Sequence, residues 1–119
     1  MDTPACFSSD LIEVFKTEKG VIYQSDRECC LFVDFGGKIA RYSYPCLQRL
    51  RDRLKGIDIN EMFYNPRYPD VELVIMPACD HCYVLSALDI LYFQELLDGA
   101  FVMFELNHIV KDCLQRLVA

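Results

Sequence analysis

The sequence predicts an α+β domain: a mainly antiparallel sheet from two ββα-like halves, packed on a long, very apolar C-terminal helix. Three observations predict it. Residues 12–44 hold short alternating apolar runs separated by turn residues, the pattern of half-buried strands. A second strand-turn-strand unit follows at 71–85, and each unit feeds a helical pattern. Residues 87–117 lack proline and set a narrow polar stripe against a wide apolar face, which describes a helix buried almost all round. Hairpins that run into helices favour antiparallel pairing.

Taken in order, Ile12 to Thr17 alternates, Glu18-Lys19-Gly20 turns, and Val21 to Gln24 resumes. Ser25 to Glu28 is a polar connector. Cys30–Phe35 and Lys38–Tyr44 flank Gly36-Gly37, a hairpin signal because both turn residues need positive φ. Pro45 suits a first helical position, where its missing N–H costs nothing. Leu47, Leu50 and Leu54 form one stripe, and Gly56 reads as a left-handed stop. Asp58 and Glu61 have capping-box spacing and open a short helix through Tyr64. Pro66 and Pro69 make the segment 65–70 a connector.

Val71 to Met76 is an apolar strand, Pro77 to Asp80 a turn, and Cys82 to Leu85 the return strand. Ser86 and Asp89 repeat the capping-box spacing. A straight helix from there to Leu117 would be roughly 46 Å long, whereas a compact domain of this size is about 35 Å across. The helix therefore breaks near Gly99 or overhangs to meet a partner. Aligning Val21-Ile22 with Val74-Ile75 places Cys29 opposite Cys82 and suggests a ββα duplication.

The 119 residues make a single domain, 1–119. A net charge of −6 argues against nucleic acid, which needs cations to replace counterions, and against an anionic membrane surface. No apolar run reaches the roughly 20 residues that span a bilayer. Seven cysteines, an odd number, follow an N-terminus without a secretory pattern. Reduced thiols in the cytoplasm are the expectation. Cys46 and Cys113 sit on apolar helix faces and read as small hydrophobes.

Cys79-Asp80-His81-Cys82 is the sharpest chemical feature. Two thiolates on a tight turn can face one zinc ion, with His81 as a third ligand. The nearest further thiols, Cys29 and Cys30, are adjacent, so on a strand at most one would reach that ion. Metal candidates are thus Cys79, Cys82, His81 and Cys29, and no other cofactor is indicated. The same four residues after an apolar strand also suggest a thiol redox site. The strands and cis-proline that such sites use are not suggested downstream.

A basic cluster is the second feature. Lys38, Arg41, Arg49, Arg51, Arg53 and Lys55, opposed by Asp52, give residues 38–55 a charge of +5 and the rest −11. Lys38, Arg41, Arg49, Arg53 and Lys55 are candidates for binding an anion or an acidic protein partner. A solvated helix face explains them as well. Phe35 to Lys38 is not a phosphate-binding loop, G-x-S-x-G is absent, and two histidines leave few routes to a catalytic triad.

The stretches VDFGGKIARYSYPCLQRL and VELVIMPACDHCYVLSALDILYFQELLDGAFVMFELNHIV resemble small bacterial domains of unknown function, of a Bacteroidetes type, with two strand-turn-strand-helix halves. The resemblance spans residues 12–114, rests on turn glycines and capping boxes, and implies no activity. Those domains often carry C-x-x-C before the FG turn, where this chain has Asp26 and Arg27 followed by Cys29-Cys30. The expectation is a non-enzymatic interaction or structural protein, a homodimer that self-associates through Phe101, Val102, Phe104 and Leu106. A zinc domain and a thiol redox protein are the alternatives.

Overall fold

The computed structural model describes residues 11–76 and 81–118, with side chains through Gln115. It is α+β, with six strands in two antiparallel sheets and a long C-terminal helix. Strands β1 (Leu11–Lys16), β2 (Gly20–Ser25), β3 (Cys30–Phe35) and β4 (Lys38–Tyr42) form a meander in sequence order. Helices α1 (Tyr44–Lys55) and α2 (Ile59–Tyr64) follow. Strands β5 (Val71–Met76) and β6 (His81–Ser86) make a separate hairpin, and α3 (Ala87–Val118) ends the fold.

Local chemistry accounts for the boundaries. Gly36 and Gly37 take φ of +61° and +80° between β3 and β4, as a two-residue hairpin requires. The Ser43 hydroxyl accepts from the Cys46 N–H and caps α1, and the Asp58 carboxylate accepts from the Glu61 N–H. At α3 the capping box is reciprocal: Asp89 N–H donates to Ser86 Oγ at 3.2 Å, and Ser86 N–H to Asp89 Oδ2 at 3.1 Å. Gly56 differs from expectation, with φ −79° and ψ −6° in the right-handed region. Its N–H bonds Asp52 O, and Ile57 N–H then bonds Leu54 O. The chain leaves α1 through this tight turn and needs no left-handed residue.

The core lies between the sheets and the helices. Register places Ile22 beside Val33 and Val33 beside Ala40 on one face, all buried. Leu47, Leu50 and Leu54 of α1 and Ile90, Phe93, Leu96, Leu97 and Ala100 of α3 have no exposed surface. Each such aliphatic or aromatic side chain stabilises the fold by roughly 1.5–3 kcal/mol. Phe93 stacks on Phe35 at 4.2 Å and meets Tyr83 edge-on at 5.1 Å. One side chain thus locks the four-stranded sheet to the hairpin.

Side chains tie β4 to β6. Tyr42 and Tyr83 share a buried hydroxyl hydrogen bond of 2.6 Å. Lys38 Nζ donates to Cys82 O at 2.8 Å, and His81 Nε2 donates to Arg41 O at 2.6 Å. Burial raises the pKa of both tyrosines above the ordinary value, and for Tyr42 the bond to Tyr83 raises it further.

Helix α3 does not break at Gly99. A Cβ there would overlap the Phe15 ring of β1, so this glycine serves close approach of strand to helix. The helix runs 32 residues, about 48 Å by its rise, and the chain measures 60 × 33 × 28 Å along its principal axes. The helix overhangs. The supposed duplication is also out of phase. Val21 is half-buried and Ile22 buried, whereas Val74 is buried and Ile75 exposed.

Candidate interaction surface

The domain-facing stripe of α3 runs through Ile90, Phe93, Leu97, Ala100 and Phe101. At 100° per residue its continuation falls on Phe104, His108, Lys111 and Gln115. Apart from Met103 and Phe104, which still pack against the core, the apolar residues from 102 to 114 stand elsewhere, at 102, 106, 109, 110, 113 and 114. The apolar face thus rotates away from the domain about midway along the helix. Val102, Leu106, Ile109, Val110 and Leu114 are 47–57% exposed, and Cys113 is exposed. Positions 102, 106, 109 and 113 have the 4-3-4 spacing of a seam between helices.

The residues expected to mediate self-association therefore divide. Val102 and Leu106 are exposed. Phe101 is buried, with its ring 5.4 Å from Tyr44 and 5.3 Å from Phe104 and with the Arg51 guanidinium over it at 4.9 Å. Phe104 is half-buried against the core. These two aromatics close the proximal end and leave the seam to the aliphatic residues. The expectation that α3 is buried almost all round fails for its distal half, because the sheets end before the helix does.

A second apolar surface lies on the outer face of the hairpin. Leu73 pairs with Val84 and Ile75 with Cys82. Val71, Leu73, Ile75 and Val84 are 49–64% exposed. The sequence carried a signal for it, because Val71 to Met76 is apolar at both parities. A half-solvated antiparallel strand normally alternates.

The basic cluster is dispersed and engaged. Arg51 and Lys55 bind Asp98 at 2.9 and 3.5 Å. Arg53 reaches Glu72 at 3.2 Å, and Arg41 lies 3.8 Å from Glu28. Lys38 sits over the Tyr83 ring at 4.4 Å, and Arg49 is exposed on α1. The cations that looked like one face tie α1 to α3 and strands to their neighbours. Such a set is poorly placed to gather around one anion.

The metal candidates are likewise separated. Cys79 lies outside the described residues. His81 and Cys82 are neighbours on β6, so their side chains take opposite faces. Cys29 lies in the β2–β3 turn with φ +54°, its Sγ 3.5 Å from Asp26 O. Among the described residues no three His, Cys, Asp or Glu side chains could hold one metal ion. Cys46 is buried in the core on α1, as its helix face suggested, but is disulfide-bonded and not the reduced thiol expected, whereas Cys113 is exposed and departs from the buried reading.

A groove of about 380 Å³ opens where the β2–β3 turn approaches α3, with Asp26, Cys29, Tyr44, Phe104, His108 and Lys111 among its walls. His108 pairs with Asp112 one turn on, at 3.5 Å. Among the described residues no helix is long and apolar enough to cross a membrane. No family model, curated protein or solved structure matches the chain.

Proposed function

We propose that this chain is a non-enzymatic protein-interaction domain that self-associates as a homodimer through the distal half of α3. The supporting observation is the row Val102, Leu106, Ile109, Val110 and Leu114, about half exposed on an overhanging helix. Contiguous apolar surface of this kind marks an interface, and a 4-3-4 spacing suits a partner that is itself a helix. The area is narrow, so the dimer is reversible and weak among stable interfaces.

Sedimentation velocity across the micromolar range tests the reading. The expected result is a concentration-dependent shift from one chain to two, abolished by Leu106→Asp. A single monomeric species throughout would overturn it. Native mass spectrometry of the same sample counts chains and bound metal together. A zinc ion lost on Cys79→Ser would support the zinc alternative instead.

A further inference from the structure

We infer that the groove between the β2–β3 turn and α3 is a binding site for a free amino acid with an apolar, aromatic side chain, a reading independent of self-association. The first argument is where the helix leaves the sheet. A Cβ at Gly20 would meet the Leu96 side chain at 2.9 Å, and one at Gly99 would overlap the Phe15 ring. There α3 lies tight on β2 and β1. Further along it stands off, and a space of about 380 Å³ opens beside Phe104, Asn107, His108 and Lys111. Their spacing of i, i+3, i+4 and i+7 is one stripe of a helix. At 100° per residue that stripe lies roughly opposite Val102, Leu106, Ile109 and Cys113. An occupant of the groove therefore leaves the proposed dimer surface clear.

The second argument is the chemistry of the walls. Leu31, Tyr44 and Phe104 supply apolar lining, with the two ring centroids 5.6 Å apart and Tyr44 half-exposed. Opposite charges stand on the two sides, Asp26 on the turn and Lys111 on the helix. Among the described residues neither makes an ion pair. The Asp26 carboxylate accepts from the Gln24 amide at 2.6 Å, and His108 is matched with Asp112. An apolar lining with a few convergent polar groups is the anatomy of a small-molecule site. A zwitterion answers both charges at once. Lys111 and the Asn107 amide would donate to its carboxylate, Asp26 would accept from its ammonium, and its ring would pack on Tyr44 and Phe104. A simple anion would meet Asp26 without a counter-charge, and a simple cation would meet Lys111.

Isothermal titration calorimetry of the full chain with L-phenylalanine tests this site. Saturable binding is expected, weakened about tenfold or more by Asp26→Asn and by Lys111→Gln, with circular dichroism unchanged in both. Phenylpropionate, which lacks the ammonium, and phenethylamine, which lacks the carboxylate, should each bind about tenfold more weakly than phenylalanine. Asp26→Asn should not weaken phenylpropionate further. Alkylation locates the ligand, because Cys29 is exposed on the groove wall while Cys82 and Cys113 are exposed away from it. Saturating phenylalanine should slow the reaction of Cys29 with iodoacetamide several-fold, read by peptide mapping, and leave Cys82 and Cys113 unchanged. Absence of saturable binding at millimolar phenylalanine would overturn the inference, as would phenylpropionate or phenethylamine binding as tightly as phenylalanine. Binding that leaves Cys29 unprotected puts the ligand elsewhere and overturns it too.

Discussion

The two halves of α3 belong to one unbroken helix and face different surroundings. From Ala87 to Phe104 the helix is a core element, with five side chains wholly buried and Phe93 bridging the two sheets. Beyond Phe104 its domain-facing side turns polar, and its outer side carries half-exposed aliphatics. Both are continuous helix, although apolar residues hold 13 of the 18 positions from 87 to 104 and 7 of the 14 from 105 to 118. What differs is which side of the helix the apolar residues occupy and whether a sheet lies opposite. An apolar helix face is therefore not evidence of a core until its direction is known.

The comparison predicts a graded series of effects. Phe93→Ala removes the ring between the sheets and should cost about 3–5 kcal/mol in urea unfolding. A loss below about 1 kcal/mol there would show that the proximal half is not the core described. Gly99→Ala forces a methyl into the Phe15 ring and should cost about 1–3 kcal/mol. Adding Phe15→Ala should make the alanine at 99 cheaper than in the native background, as the double-mutant cycle would read directly. Ser86→Ala removes half of the capping box at the proximal end and should lower stability by about 1 kcal/mol, with thermal unfolding as the measurement.

At the distal end, Ile109→Ser should change monomer stability by less than about 0.5 kcal/mol while weakening the dimer in sedimentation. A large loss of monomer stability would mean that the distal face is covered within one chain. Alkali offers a further separation. Tyr42 and Tyr83 are held neutral with raised pKa values under the proximal half. The unfolded chain releases these protons near pH 10 and the folded chain only above that. Stability is thus full below the unfolded value and falls as pH rises through and beyond it. Tyr42→Phe combined with Tyr83→Phe should flatten that fall, measured as the unfolding midpoint against pH.

Much of this fold is legible in local chemistry. Gly36-Gly37, Asp58 with Glu61, and Ser86 with Asp89 each specify their turn or cap through atoms within four residues, so no distant contact can reassign them. The spans of β3 and β5 follow from short apolar runs bounded by turn residues, and the leucine stripe of α1 from helical periodicity, for the same reason. Gly56 and Gly99 were harder. A glycine signals a permissive backbone or close approach, and only the neighbours decide which. At Gly56 a tight turn suffices, and at Gly99 the neighbour is Phe15 from a strand more than eighty residues away.

The candidate surface divides along the same line. Composition and the long apolar helix are properties of the sequence alone, and they determined that this chain is α+β with more apolar surface on α3 than a thin sheet can cover. Only the tertiary structure decided that Phe101 is core, that Val102 and Leu106 are not, that the basic residues are spent on Asp98, Glu72 and Glu28, and that the hairpin has a second apolar face. Burial depends on where the other elements stop. Beyond residue 104 the four-stranded sheet approaches α3 only on its His108 side, and a one-dimensional pattern holds no record of that direction.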